Sequence, residues 1–183
     1  MENSCHNDHF VKFPYRAEVR ANGDINNGGI DLVKEPHRIN EVHELKGAEW
    51  LEDFVKTTNE PDRLFMTFGC VWDQEEGKSL FGYVDFSFRP ETSTTVKDDL
   101  SQLDELFYSY LHEAMVAAHE ENPSRATNYA RENLVWELTP LQIYEKTYQK
   151  VTLTFRSANH ETAAWLLGHL SYFLNAYYPS SLS

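Results

Sequence analysis

Four residues near the N-terminus, Cys5, His6, Asp8 and His9, are of types that bind metal ions. Thiolate and imidazole groups bind zinc well, but a tetrahedral zinc site usually draws on two separated pairs of ligands. The sequence contains no CxxC or HxxxH motif to complete such a site. Ordering adjacent ligands in a polar segment would also cost conformational entropy. We therefore predict a polar tail here, without a bound metal.

Two further histidines, His112 and His119, lie seven residues apart in a segment of helical periodicity. Seven residues advance a helix by about 10 Å, so the two imidazoles cannot bind one ion together. A metal site would need further ligands, for which the neighbouring Glu113 and Glu120 are candidates. The pattern is more typical of a solvent-exposed helix face.

Motifs for catalysis or cofactor binding are missing from the sequence. It contains no GxSxG elbow, no P-loop and no GxGxxG. Cys70 alternates with large apolar residues, which predicts a buried thiol. Adjacent acids such as Asp98 and Asp99 cannot face each other across a cleft, as acid–base pairs do. We predict no catalytic residue, no metal and no cofactor, and the sequence favours a protein without enzymatic activity.

The elements that position these residues follow from the hydrophobic pattern. Alternating apolar residues predict four strands, over residues 64–73, 79–89, 134–138 and 141–156. Apolar residues at helical spacing predict three helices, over residues 38–58, 96–121 and 160–178.

The order of these elements indicates the fold class. With a further hairpin across the Asn/Gly-rich loop within residues 15–33, the order is ββα, ββα, ββα. We predict an α+β fold, a single domain over residues 13–183 whose largely antiparallel sheet is built from β-hairpins with helices packed on it. A mobile N-terminal arm over residues 1–12 precedes it.

Local signals refine three of these elements. Gly69 and Gly82 interrupt the two clearest strands, which predicts a bulge or a place where another element packs closely. Thr95, followed by Asp98, predicts the N-cap of the helix over 96–121. Pro179 predicts the end of the last helix.

The net charge of −13 is concentrated in two segments. Residues 41–62 carry seven acids and two bases, net −5, and residues 91–121 carry eight acids and one base, net −7. The acid excess argues against binding a nucleic-acid backbone or an anionic membrane, since both need clustered Lys and Arg. A protein partner of basic character is compatible with it.

Two surfaces are candidates for binding such a partner. The first is the outer face of the helix over 96–121, where Glu105, Glu113 and Glu120 lie beside His112 and His119.

The second surface belongs to the helix over 160–178, which carries no charged side chain after Glu161. Trp165, His169 and Tyr172 lie opposite its main apolar face. Either this helix is sandwiched within the fold or its outer face meets a partner, for which aromatic residues are well suited. A homodimer is the simplest such assembly.

Two classes of function remain open. The first is a non-enzymatic protein-binding or inhibitory protein, of immunity or phage type, acting through the acidic helix face, the aromatic C-terminal helix, or both. The alternative is a small enzyme or ligand-binding domain in which carboxylates converge in a pocket with His112, His119, His160 or His169. Two cysteines, no signal-peptide pattern and no apolar run of about 20 residues predict a cytoplasmic protein without a membrane span.

Overall fold

A computed structural model describes most of the chain. The described residues are 1–3, 12–19, 21, 23, 25–26, 28–74, 78–92, 100–143 and 145–182. The predicted metal-ligand types at residues 5–9 and the predicted helix start at Thr95 lie outside them. None of the helices in the described ranges is long and apolar enough to cross a membrane.

The main sheet has four long strands. They are β5 (Phe65–Gln74), β6 (Leu80–Phe88), β7 (Leu134–Ile143) and β8 (Lys146–Ser157), in the spatial order β7–β8–β6–β5 with antiparallel pairing throughout. Two short strands, β1 (Glu2–Asn3) and β2 (Lys12–Phe13), pair in parallel with the outer edge of β7. The sheet is therefore mixed rather than purely antiparallel.

The predicted arm over residues 1–12 lies mostly outside the described residues. Its two ends differ from the prediction, because β1 and β2 occupy the edge of β7 that β8 leaves unpaired. An unpaired strand edge offers free N–H and C=O groups to any nearby extended segment.

Helices precede, separate and follow the two pairs of long strands. They are α1 (Glu49–Asn59), α2 (Leu103–Ala117), α3 (Pro123–Asn133), α4 (His160–Tyr172) and α5 (Tyr178–Ser181), with 3-10 turns at Pro36–Glu41 and His43–Leu45. A separate two-stranded sheet joins β3 (Glu18–Val19) to β4 (Ile25–Asn26). The α+β class is confirmed, whereas the threefold ββα order is only partly present, because α2 and α3 both lie between β6 and β7.

One face of the sheet packs against the helices. Alternate residues of the long strands, among them Val84, Phe86, Leu153 and Phe155, are fully buried there against α1, α2 and α4. The outer face is covered at one end by Phe13, which packs with Met66, Phe68, Leu141 and Ile143. Beside this cover lies a buried ion pair between Lys150 and Asp85.

The helix predicted over 96–121 is shorter at both ends within the described residues. Ser101 and Gln102 form a turn, and the helix begins at Leu103. It ends at Ala117 because His119 adopts a left-handed φ of 58°. Backbone hydrogen bonds from His119 to Val116 (3.0 Å) and from Glu120 to Met115 (3.1 Å) then close the last turn in a Schellman motif. His119 and Glu120 therefore lie beyond the helix.

The last helix begins as predicted and continues past its predicted end. Asn159 caps α4 by accepting a 2.9 Å hydrogen bond from the Thr162 N–H. Pro179 does not end the helix, because a π turn over Phe173–Tyr177 connects α4 to α5. Proline lacks the N–H that would bind the carbonyl four residues earlier, and its ring crowds that carbonyl. Widening the turn before Pro179 accommodates both effects.

Candidate partner-binding groove

A groove of about 420 Å³ runs between α1 and α4 on the helical layer. Its α1 wall consists of residues at helical spacing, Trp50, Asp53, Phe54 and Thr57. Its other wall consists of Ala164, Leu167, Gly168, Ser171 and Tyr172 from α4, continued by Asn175 and Ala176 in the π turn. Arg63, from the loop after α1, also lines the groove. We refer to this concavity as the α1–α4 groove.

The groove stays open because α4 presents small residues to it. A Cβ built on Gly168 would meet no atom within 4 Å. Ala164 and Ser171, four residues before and three after it, also lack long side chains. The backbone of α4 is therefore accessible along about two turns, and a neighbouring element can approach it closely.

The π turn shapes one end of the groove. In a regular helix the N–H of residue 179 would bind the Asn175 carbonyl, but Pro179 has no N–H. Arg63 supplies the missing donor, since its Nη1 lies 3.1 Å from that carbonyl oxygen. The same guanidinium binds Glu60 through Nε (3.1 Å) and Nη2 (2.5 Å). Arg63 thus ties the end of α1 to the π turn.

The side chain of Asn175 has an unused acceptor. Its Nδ2 donates to the Ser171 carbonyl (2.9 Å) and to Thr58 Oγ1 (3.3 Å), and the residue is only 8% exposed. Its Oδ1 is buried and accepts no hydrogen bond among the described residues. An unsatisfied buried acceptor costs about 1–3 kcal/mol of stability. This part of the groove is therefore unusual, because buried polar atoms in folded proteins normally have a hydrogen-bond partner.

The charge around the groove is negative. The two bases nearby are matched by acids within the chain, Lys56 by Glu52 (2.5 Å) and Arg63 by Glu60. Asp53 lines the groove, is exposed, and forms no ion pair in the described part of the chain. Since α4 carries no basic side chain apart from its histidines, the carboxylate of Asp53 is not offset across the groove.

Of the five residues predicted for the acidic surface, two are hydrogen-bonded to other side chains of the chain. Glu105 forms a bidentate pair with Arg131, at 2.9 and 2.6 Å, and Glu113 accepts a 2.7 Å hydrogen bond from the Tyr177 hydroxyl. His112 is exposed on α2, while His119 and Glu120 are exposed beyond its end. Glu120 lines a second cleft of about 340 Å³, shared with Arg125, Tyr129 and Trp165.

The three residues predicted for the aromatic interface are divided between the interior and the surface. Trp165 contacts the ring of His169 (4.9 Å between centroids), and His169 Nδ1 lies 3.0 Å from the Tyr110 hydroxyl. Tyr172 is 59% exposed, stacks on Tyr110 and lines the α1–α4 groove. The helix is thus partly sandwiched, and Tyr172 is the member that a partner can reach.

Among the described histidines, His160 and His169 contact aromatic side chains. His160 accepts a hydrogen bond from Trp50 Nε1 at 3.0 Å and packs beside Trp72, and His169 is enclosed by aromatic rings. Within the described ranges, no group of three or more His, Cys, Asp or Glu residues is arranged to hold a metal ion.

A small cavity beside Cys70 also falls short of a ligand pocket. It measures about 50 Å³ and is bordered by Tyr15 and Gly69, whereas ligand pockets span roughly 300–1,000 Å³. Burial raises the pKa of the Cys70 thiol to about 12. The thiol is therefore protonated near neutral pH, which does not suit a nucleophile.

We expect His169 to make stability depend on pH. Burial lowers its pKa, and burial raises the pKa of Tyr110 to about 12, so a protonated hydroxyl faces a neutral imidazole. Unfolded histidine titrates near about 6.5, so the unfolded chain takes up the proton first as the pH falls. The stabilisation that neutral His169 contributes is complete above the pKa of unfolded histidine. It is lost as the pH falls from there towards the lower pKa of folded His169. Urea unfolding should show this loss, with a slope of up to about 1.4 kcal/mol per pH unit.

The matched variants for this measurement are His169→Gln and His112→Gln. The first removes the buried imidazole and should flatten the slope below about pH 6.5. The second removes an exposed imidazole and should retain the wild-type slope. An unchanged slope in His169→Gln would contradict the assignment.

Comparison of this chain with protein-family models, with curated proteins and with solved structures finds no match. The groove itself is therefore the basis for proposing a function. Sequence reasoning missed Asp53, Arg63 and Asn175 as residues of one site. The available signal was the spacing of Ala164, Gly168 and Ser171 in a helix that carries no charged side chain after Glu161.

Proposed function

We propose that this protein acts without enzymatic activity and binds a basic, amphipathic helix of a protein partner in the α1–α4 groove. The observation that carries the proposal is a concave surface with small residues on one wall and an uncompensated carboxylate, Asp53, on the other. Helix-in-groove binding uses apolar anchors at positions i, i+3, i+4 and i+7 of the bound helix. If the bound helix belongs to the surface through which the partner carries out its function, binding would inhibit the partner.

Apolar contact would supply most of the affinity. The apolar surface that a partner can reach belongs to Tyr172, Trp50 and Ala164, since Phe54 and Leu167 line the groove but are each only 1% exposed. Each apolar anchor that is fully buried contributes about 1.5–3 kcal/mol before the costs of association. Exposed aromatic residues such as Tyr172 are frequent at the centre of protein interfaces.

Charge would orient the bound helix and raise its rate of association. The acids of residues 41–62 place Asp53 within a segment of net charge −5. A basic helix is attracted to such a segment, and the attraction weakens as salt is added. An acidic or neutral helix of the same apolar pattern would lack this contribution.

The cytoplasmic location predicted from the sequence is part of the same proposal. Cys70 is a free thiol beneath the sheet edge, and its high pKa makes it slow to react. A cytoplasmic protein partner is therefore the setting that we propose.

The expected result is that a groove-filling substitution abolishes binding. The probe is a synthetic amphipathic helix of leucine and lysine, and its affinity is measured by fluorescence anisotropy. In Gly168→Phe the new ring occupies open space in the groove, so the affinity should fall at least about thirtyfold, which corresponds to about 2 kcal/mol. The fold should persist, because residue 168 is exposed and a Cβ there meets no atom within 4 Å.

Matched controls separate the groove from the surface in general. Ser109→Phe adds the same ring to an exposed position of α2 and should bind like the wild type. A leucine and glutamate peptide of the same pattern should bind more weakly than the lysine peptide, and Asp53→Lys should reduce this preference at low salt. Equal binding by Gly168→Phe and wild type, or no binding of the lysine peptide at all, would refute the proposal.

A further inference from the structure

The outer face of the sheet is uncovered at the end opposite Phe13. Three apolar side chains are exposed there, Val71 (37%), Phe81 (45%) and Val135 (51%). They lie on one face because their neighbours along each strand, such as Leu80 and Leu134, are buried on the other. We call this area the open sheet patch.

The register of the strands gives the open sheet patch a regular charge pattern. Phe81 on β6 is directly opposite Asp73 on β5 and directly opposite Arg156 on β8. The three side chains thus form one row across the sheet, with an acid on one side of the aromatic ring and a base on the other. The next row across the sheet is uncharged and consists, from β5 to β7, of Val71, Tyr83, Thr154 and Val135.

The acid and the base of this row are too far apart to neutralise each other directly. Neighbouring strands are about 4.8 Å apart, so Asp73 and Arg156 are separated by roughly 10 Å with Phe81 between them. Both are exposed, and Arg156 forms no ion pair within the described residues. An exposed aromatic side chain between separated opposite charges is the kind of surface that a complementary surface can cover.

We propose that the open sheet patch binds a second copy of this chain, sheet face against sheet face. Consider a twofold axis that runs parallel to β6, midway between the two sheets and over Phe81. It places Phe81 on the partner's Phe81. The same axis places Arg156 opposite the partner's Asp73, and Asp73 opposite the partner's Arg156. Such a contact is self-complementary, as a twofold interface must be. Face-to-face sheets pack about 10 Å apart, and around the axis the two Phe81 rings and the long Arg156 side chains fill this gap. The sheets diverge towards the ends covered by Phe13, which this axis places on the same side of the dimer.

The row through Phe81 favours a second copy as the occupant, because its acid and base complement each other under a twofold axis. The chain has a net charge of −13, so two copies repel each other at long range. Association of two copies therefore needs local pairs of opposite charge, and the row through Phe81 supplies two of them in each dimer. The patch is on the opposite side of the sheet from the α1–α4 groove, and the inference does not depend on the proposed function.

A charge-exchange experiment tests the dimer. The association constant is measured by sedimentation equilibrium up to about 500 µM protein, a range that detects weak dimers. Asp73→Arg and Arg156→Asp each replace two attractive pairs by two repulsive ones, so each should weaken the dimer by about tenfold or more. The double variant restores opposite charges across the axis and should associate within about threefold of the wild type.

Further variants make the outcome decisive. Phe81→Ser should leave a monomer, whereas Val116→Ser, which removes an apolar side chain that is 52% exposed on α2, should dimerise like the wild type. A wild-type chain that is monomeric at the highest concentration would overturn the inference. A dimer that persists in both single charge variants would also overturn it and would point to another surface, such as that of Trp165 and Tyr172. Peptide binding to the groove is measured separately, so the two proposals can fail independently.

Discussion

Replacing Arg89 with methionine is expected to lower the free energy of unfolding by about 3–5 kcal/mol. Arg89 is 6% exposed and lies just after β6. Its Nε donates to the Phe65 carbonyl at 3.0 Å, and its Nη2 donates to the carbonyls of Glu60 and Thr58. Methionine fills similar space but donates no hydrogen bond, so these carbonyls at the end of α1 and the start of β5 lose their donor.

The effect should be visible in urea unfolding followed by circular dichroism. Arg125→Met is the matched control, because Arg125 is exposed and its change should stay within about 0.5 kcal/mol. A loss below about 1 kcal/mol in Arg89→Met would show that water replaces the guanidinium at these carbonyls. Burial also lowers the pKa of Arg89, which agrees with a cation held mainly by backbone carbonyls.

The strands were predictable because their signal is local. Alternation along residues 64–73 and 79–89 requires only that one face is apolar, and the structure pairs these segments as the β5–β6 hairpin. Both glycine predictions are also confirmed. The register shifts between Thr67 and Gly69, and Phe155 packs directly on Gly82.

The ends of the helices were harder to predict, because competing local signals decide them. Ala118 to Glu121 is compatible with a helix by periodicity, yet a left-handed His119 ends α2 first. Pro179 is a strong stop signal, yet the helix passes it through a π turn. There the buried ring of Tyr178 packs between Phe65 and Phe173, and this tertiary contact outweighs the local preference.

The groove could not be predicted, because it depends on pairing distant segments. Asp53 on α1 and Asn175 in the π turn are brought together by the packing of α1 against α4 on the sheet. No short-range pattern specifies that contact. The same reason applies to Arg89, whose role is visible only once the end of α1 is placed beside β5.

Replacing Gly82 with alanine is expected to lower the free energy of unfolding by about 3 kcal/mol. A Cβ at this position would lie 2.3 Å from the Val71 carbonyl oxygen and 2.6 Å from Cζ of Phe155. The carbonyl oxygen belongs to the paired backbone of β5 and cannot turn aside as a flexible side chain could. The strain therefore falls on the β5–β6 pairing at the centre of the sheet.

The matched substitution is Gly168→Ala, measured by the same urea unfolding. Its Cβ meets nothing within 4 Å, and alanine in a helix interior is about 0.5–1 kcal/mol more favourable than glycine. We therefore expect Gly82→Ala to lower the free energy of unfolding and Gly168→Ala to raise it. A destabilised Gly168→Ala would contradict the open groove. A stabilised variant would show that glycine at 168 costs stability without any packing reason within the described fold. Close approach of the proposed partner helix to the α4 backbone would supply such a reason, because each added carbon on that wall would hold the partner farther away.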